Sequence, residues 1–194
     1  MTKIVRSLLV AGLLGLSACS SVTSAPAGPY KLGAAQVSLG RQWSDLSAIT
    51  PNRVKRLRVL SIDGPLLNTL YLTEGLSVGE ALVRAPSKER PTPRVRAGMT
   101  SSERIEFVTE SVAAMGYQRV ESARPRAGRY GDQPAVRFDL SARTPAGLDV
   151  MGTALAAEVE GKVYVILYLA PAEHYFQATL PEVEQVMGSA RPKA

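Results

Sequence analysis

One cysteine, one histidine and one tryptophan in 194 residues leave this chain short of the side chains that hold metals and relay protons. Cys19 and His174 are too few to ligate a transition metal. The carboxylates show no spaced calcium loop of the EF-hand kind, and no glycine motif of the phosphate-cradling kind occurs. No metal and no cofactor are expected. Aromatic residues make up 6% of the chain, without the interleaved stacking set that single-stranded nucleic acid prefers, so nucleic acid is not an expected partner. The longest apolar run, Leu8 through Leu16, is about half of the roughly 20 residues needed to span a bilayer.

What is present begins at the amino end. Lys3 and Arg6 precede that apolar run, and small residues lead from it into Cys19. A basic start, an apolar core of about 7–15 residues and small residues before the cut describe a secretory signal. The stretch Leu16-Ser17-Ala18-Cys19 resembles the lipobox of bacterial lipoproteins. The resemblance implies cleavage between Ala18 and Cys19 and acylation of Cys19, which becomes the lipid attachment site. Acyl chains at about 0.8 kcal/mol per buried CH₂ anchor a protein without a spanning segment. Ser20, following the cysteine, resembles the outer-membrane sorting pattern and implies the periplasmic face of that membrane. A cut at an ordinary signal site would instead leave an unpaired thiol in an oxidising compartment.

Residues 1–18 are thus expected as signal peptide, 19–35 as a flexible tether rich in Ser, Ala, Gly and Pro, and 36–191 as one domain. Hydrophobic residues at 45% and charged residues at 21% suit a folded domain. Removing Lys3 and Arg6 from 23 basic residues leaves 21 against 17 acidic ones, a net +4. Arginines cluster from Arg53 to Arg58, from Lys88 to Arg96 and from Arg119 to Arg129. Solvated surface accounts for such runs, and an anionic surface contact through Arg90, Arg94 and Arg96 is the functional candidate among them.

Along the domain, Val37 to Leu39 opens with a strand, and Val54 to Ile62 and Leu66 to Glu74 are β-prone runs parted by the turn Asp63-Gly64-Pro65. Gly75 to Pro93 reads as a long loop. Thr100-Ser101-Ser102-Glu103 has the capping-box form that starts a helix. Ile105, Val108, Val112 and Met115 then give it one apolar stripe, and Gly116 ends it. Val136, Phe138, Leu140 and Ala142 alternate with polar residues, predicting a strand with one wet face. Asp149 to Glu158 and Val163 to Leu169 follow as strands joined by Glu160-Gly161, and the last is apolar on both sides, which places it centrally. Ala172 to Ser189 reads as helical, in two pieces or kinked at Pro181. Short turns make neighbouring strands antiparallel. The expected architecture is α+β, an antiparallel sheet of about six strands flanked by helices.

This order resembles the PsbP-like/Mog-like fold group, named for a photosystem II extrinsic subunit and a Ran-binding protein. The likeness rests on Gly40-Arg41-Gln42-Trp43, the mid-chain helix, Gly131-Asp132-Gln133-Pro134-Ala135 before an alternating strand, the hairpin, and the closing helix with Ser189-Ala190-Arg191. It spans about residues 36–191 and implies a central antiparallel sheet and protein binding rather than catalysis. No binding residue transfers by position.

Chemistry has few candidates. Gly75-Leu76-Ser77-Val78-Gly79 matches the G-x-S-x-G nucleophile elbow, with Asp139 or Asp149 and then His174 in the hydrolase order. A helix starting at Ser77 is missing, because Pro86 follows closely. Asp132 and Asp139 read as a loop residue and a wet-face charge. Tyr164, Tyr168, Tyr175 and Phe176 read as core, and could otherwise line a pocket for a small apolar ligand. The reading is a non-enzymatic, membrane-anchored envelope lipoprotein that binds or supports another envelope protein. A serine hydrolase using Ser77 and His174 is the alternative.

Overall fold

The chain is already paired in a sheet at Thr23. The computed structural model describes residues 22–193 apart from 66, 86 and 88–90. Its first elements are β1 (Thr23–Ala25), β2 (Gly28–Leu32), β3 (Ala35–Leu39) and β4 (Trp43–Asp45), followed by β5 (Leu57–Ser61) and β6 (Thr69–Thr73). Then come α1 (Ser101–Ala114), β7 (Gln118–Tyr130), β8 (Gln133–Arg143), β9 (Asp149–Val159), β10 (Lys162–Pro171), α2 (Tyr175–Ser189) and β11 (Arg191–Pro192).

Eight of these strands form one antiparallel sheet in the order β1-β4-β5-β6-β10-β9-β8-β7, and β11-β3-β2 form a second, three-stranded sheet. The α+β class therefore stands, with eight strands in the main sheet where about six were expected. The extra strands lie where composition conceals them. The tether expected over 19–35 gives way to β1 and β2. Its prolines do not prevent this, because Pro26 falls between the two strands and Pro29 sits on β2, an edge of the small sheet that needs no ladder donor there. β1 and β2 are thus part of the folded domain that was expected to start near residue 36.

β10 organises the core. Tyr164, Ile166, Tyr168 and Ala170 point to the face covered by α2 and the small sheet. Val163, Val165, Leu167 and Leu169 point to the face covered by α1 and the segment carrying Leu76, Leu82, Val95 and Met99. The result is a sheet sandwiched between two unequal layers. At the main-sheet edge opposite β1, β7 is exposed over nearly its whole length, and its register against β8 slips twice, after Gln118 and after Ala123.

α1 starts as its sequence dictates. The Thr100 hydroxyl accepts from Glu103 N at 3.2 Å, and the Glu103 carboxylate accepts from Thr100 N at 2.8 Å. Gly116, just past the C-cap, takes φ +102, a conformation costly to any side chain. The buried stripe centres on Phe107, Val108, Ser111 and Val112, with Ile105 and Met115 at its margins. α2 is one helix through Pro181 rather than two pieces. Gln177 and Pro181 are both exposed, so water can satisfy the Gln177 carbonyl that the proline cannot reach. Glu182 on the next turn accepts from Gly40 N at 2.8 Å and Trp43 Nε1 at 3.4 Å, tying the turn before β4 to the helix.

Candidate functional site: a basic cleft

The long connection from β6 to α1 has little regular structure, yet it is held at three places. Leu76 and Val163 exchange two backbone hydrogen bonds, at 2.8 and 2.9 Å, on the first turn of chain after β6. Gly79 N donates to Val95 O, and Val95 N to Glu80 O, both at 2.8 Å. Arg84 N donates to Asn52 O at 2.9 Å, beside the bridge between Arg53 and Val83. Arg53 sends one guanidinium nitrogen to the carbonyls of Val54, Lys55 and Leu57, at 3.2, 3.4 and 2.9 Å, and so shapes the turn that enters β5.

Between these two segments lies an open cleft of about 490 Å³, with Leu76 and Val83 among its apolar lining. Among the described residues, four cations line it, Lys55, Arg56, Arg84 and Arg94, against one carboxylate, that of Glu80. Glu80 pairs with Arg56 at 3.1 Å and also accepts from Ser77 N at 2.7 Å. Arg94 donates to Gly79 O at 2.7 Å. Among the described residues, Lys55 and Arg84 have no carboxylate partner. A positively charged cleft with a partly apolar lining and fixed walls suits an anionic group carrying some apolar surface.

The expected anionic patch is divided by the fold. Arg94 lines the cleft, whereas Arg96 pairs with Glu103 at 2.8 Å at the start of α1. Hydrogen bonds from the Thr100 backbone and hydroxyl, and then from Arg96, hold the Glu103 carboxyl below its usual range. Arg90, Ala18 and Cys19 lie outside the described residues. Lys55, Arg56 and Arg84 are the lining cations that the sequence did not assign to a site. The Arg53 to Arg58 run was visible, but nothing in it shows that Arg84 and Arg94 fold against it.

The hydrolase arrangement is overturned. Residues 78 and 79 after Ser77 form a turn, and residues 80–85 that follow are not helical, so the strand-turn-helix of a nucleophile elbow is absent there. Ser77 sits beside Val163 at the start of β10, while His174 lies beyond its far end, Pro171. Eight residues at about 3.3 Å each put roughly 26 Å of strand between them. His174 instead opens α2 at φ 63, its ring edge-on to Tyr175 at 5.2 Å.

Asp139 lies among cations rather than beside a second acid. It bonds Arg124 at 2.6 Å and Arg126 at 3.1 Å. Partial burial raises its pKa, the two arginine hydrogen bonds outweigh that, and the carboxyl titrates below its ordinary value. Asp132 faces water next to Arg129. The aromatic residues near α2 are filled core. Tyr168 and Phe176 stack at 5.7 Å, and Tyr164 packs on Tyr130 at 5.0 Å. Burial pushes the Tyr168 phenol up to about 12, and its hydroxyl donates to Tyr175 O at 3.1 Å. Among the described residues no cluster of three potential metal ligands occurs, and no helix is long and apolar enough to cross a membrane.

No protein-family model matches the chain, and no curated protein matches it. Solved structures do. Cyanobacterial PsbP (CyanoP) from Synechocystis superposes with a TM-score of 0.54 at 12% identity, covering 94% of this chain and 98% of that one. A mutant of protein Mog1 gives 0.53 at 8% identity, covering 88% and 95%. LpqN, involved in cell envelope biogenesis of Mycobacterium tuberculosis, gives 0.40 at 9% identity, covering 89% and 92%. The first two share this fold; identities this low speak to architecture alone.

Proposed function

We propose that the chain is an envelope lipoprotein, anchored through acylated Cys19 on the periplasmic face of the outer membrane, whose domain binds and does not catalyse. The observation that carries the binding reading is the cleft, where, among the described residues, four cations face one carboxylate on stapled walls. The only serine motif of catalytic form lies roughly 26 Å of strand away from the only histidine. Charge selectivity without a paired nucleophile and base is the chemistry of capture. The expectation of a binding module from the PsbP-like/Mog-like likeness points the same way.

The test has two readouts. Mass spectrometry of the mature amino terminus should find a thioether-linked diacylglyceryl group on Cys19, and an unmodified thiol would remove the anchor. A photocrosslinker placed at Lys55 or Arg84 in living cells should capture a defined acidic or lipidic envelope component. Loss of that capture on Arg84→Glu is expected, while Ser77→Ala should change nothing. Turnover of an ester by the native protein, abolished by Ser77→Ala, would overturn the binding reading.

A further inference from the structure

The end of the main sheet at which β1 begins can be traced from the pairing. Thr23 lies opposite Asp45, and Leu46 N bonds Val59 O. Leu57 lies opposite Thr73, and Leu76 pairs with Val163. The β4–β5 connection, the β6–α1 segment and the basic cleft therefore gather at this end. Three of the four large apolar side chains most exposed among the described residues are here too: Val22, Ile49 and Val78. The fourth, Leu148, lies in the β8–β9 turn at the opposite end.

Cys19 precedes Thr23 by four residues, which span at most about 14 Å. A flexible segment of sixteen residues would have decoupled domain from anchor. Four residues entering β1 from the cleft end do not. We propose that this end docks on the anionic surface of the bilayer that holds Cys19. Lys55, Arg56, Arg84 and Arg94 receive lipid headgroup phosphates, while Ile49 and Val78 enter the interface. Cations beside exposed apolar side chains are what a peripheral membrane contact requires. The inference rests on the acylated Cys19 of the proposed function, and it names the anionic group that the cleft takes.

The test uses the full-length lipoprotein in vesicles of phosphatidylcholine alone or mixed with phosphatidylglycerol. With Cys19 acylated, Ile49→Cys, Val78→Cys or Leu148→Cys supplies the single free thiol for an environment-sensitive fluorophore. Labels at 49 and 78 should shift to the blue and meet a lipid-borne quencher on the anionic vesicles, and the label at 148 should do neither. Lys55→Gln and Arg84→Gln should each lower the docked-to-undocked ratio roughly fivefold. Three results would overturn the docking. One is labels at 49 and 78 that stay aqueous while the protein remains vesicle-bound, which leaves the anchor intact. Another is an equal blue shift on both vesicle types, unaffected by Lys55→Gln and Arg84→Gln. The last is reversal by dilute inorganic phosphate at constant ionic strength, which would make free phosphate the ligand. Protein that leaves the vesicles with a free Cys19 thiol would defeat the anchor itself.

Discussion

Gly152→Ala should destabilise the domain even though the same change usually helps. In a strand, alanine for glycine gains about 0.4–1 kcal/mol by narrowing the unfolded ensemble. Gly152 sits in β9 opposite Leu140 on one side and Leu169 on the other. A Cβ there would stand 2.6 Å from Leu169 Cδ2, 2.8 Å from Tyr168 O and 3.2 Å from Leu140 Cβ. The leucine methyl can rotate away. The Tyr168 carbonyl cannot, because it belongs to the ladder in which Tyr168 faces Thr153. Forcing atoms into a packed core costs about 1–3 kcal/mol, so the net loss should be about 1–2 kcal/mol. For a domain of this size that lowers Tm by roughly 2–8 °C. Gly188→Ala is the control: it lies in α2 with nothing within 4 Å of the new Cβ. Relief of glycine's backbone entropy should stabilise it by about 0.5–1 kcal/mol. Urea and thermal unfolding of both variants would decide. Cooperative unfolding of Gly152→Ala at or above the parent's midpoint would refute the close approach of these three strands.

Thr100→Ala removes the hydroxyl that accepts from Glu103 N and should cost about 1 kcal/mol, read from the urea midpoint. Asp139→Asn should cost about 1 kcal/mol at neutral pH. The Asp139 carboxyl titrates below its ordinary value when folded, so its contribution exists above the unfolded pKa, about 3.9, and fades as pH falls through the lower folded value. Parent and variant stabilities should therefore converge in acid, and a gap that persists there would contradict the ion pair. Glu182→Ala strips the acceptor from Gly40 N and Trp43 Nε1 and should cost about 1–2 kcal/mol. Unfolding can be followed by Trp43, the only tryptophan, and Glu182→Gln, which keeps a carbonyl acceptor, should recover part of the loss.

Elements that combine a local signal with a buried face were legible in the sequence. α1 announces itself through Thr100 and Glu103, and β8 through its alternation from Val136 to Ala142. β10 does so by being apolar on both sides. Strands without a buried face were not legible. β7 carries Arg119, Arg124, Arg126 and Arg129 and is wet almost throughout, so no period-two pattern marks it. β1 and β2 were hidden by proline and serine, because pairing needs only backbone groups and an edge to join. The cleft was hidden for a different reason: Lys55 and Arg84 are far apart in sequence, and tertiary contacts such as the bond from Arg84 N to Asn52 O and the Arg56–Glu80 ion pair bring their segments together.

For a domain anchored as proposed above, the lone long edge of the main sheet has a consequence at high surface density. Confining many copies to two dimensions brings like edges together far more often than dilution in three, and a straight strand of thirteen residues would template a neighbour. β7 is broken by two register slips, carries Pro125 near the second, and lines its rim with guanidinium groups that repel their counterparts on another copy. The opposite rim, β1, has only three residues to offer. On the anchored reading proposed above, crowded copies would therefore lie side by side without fusing into fibres.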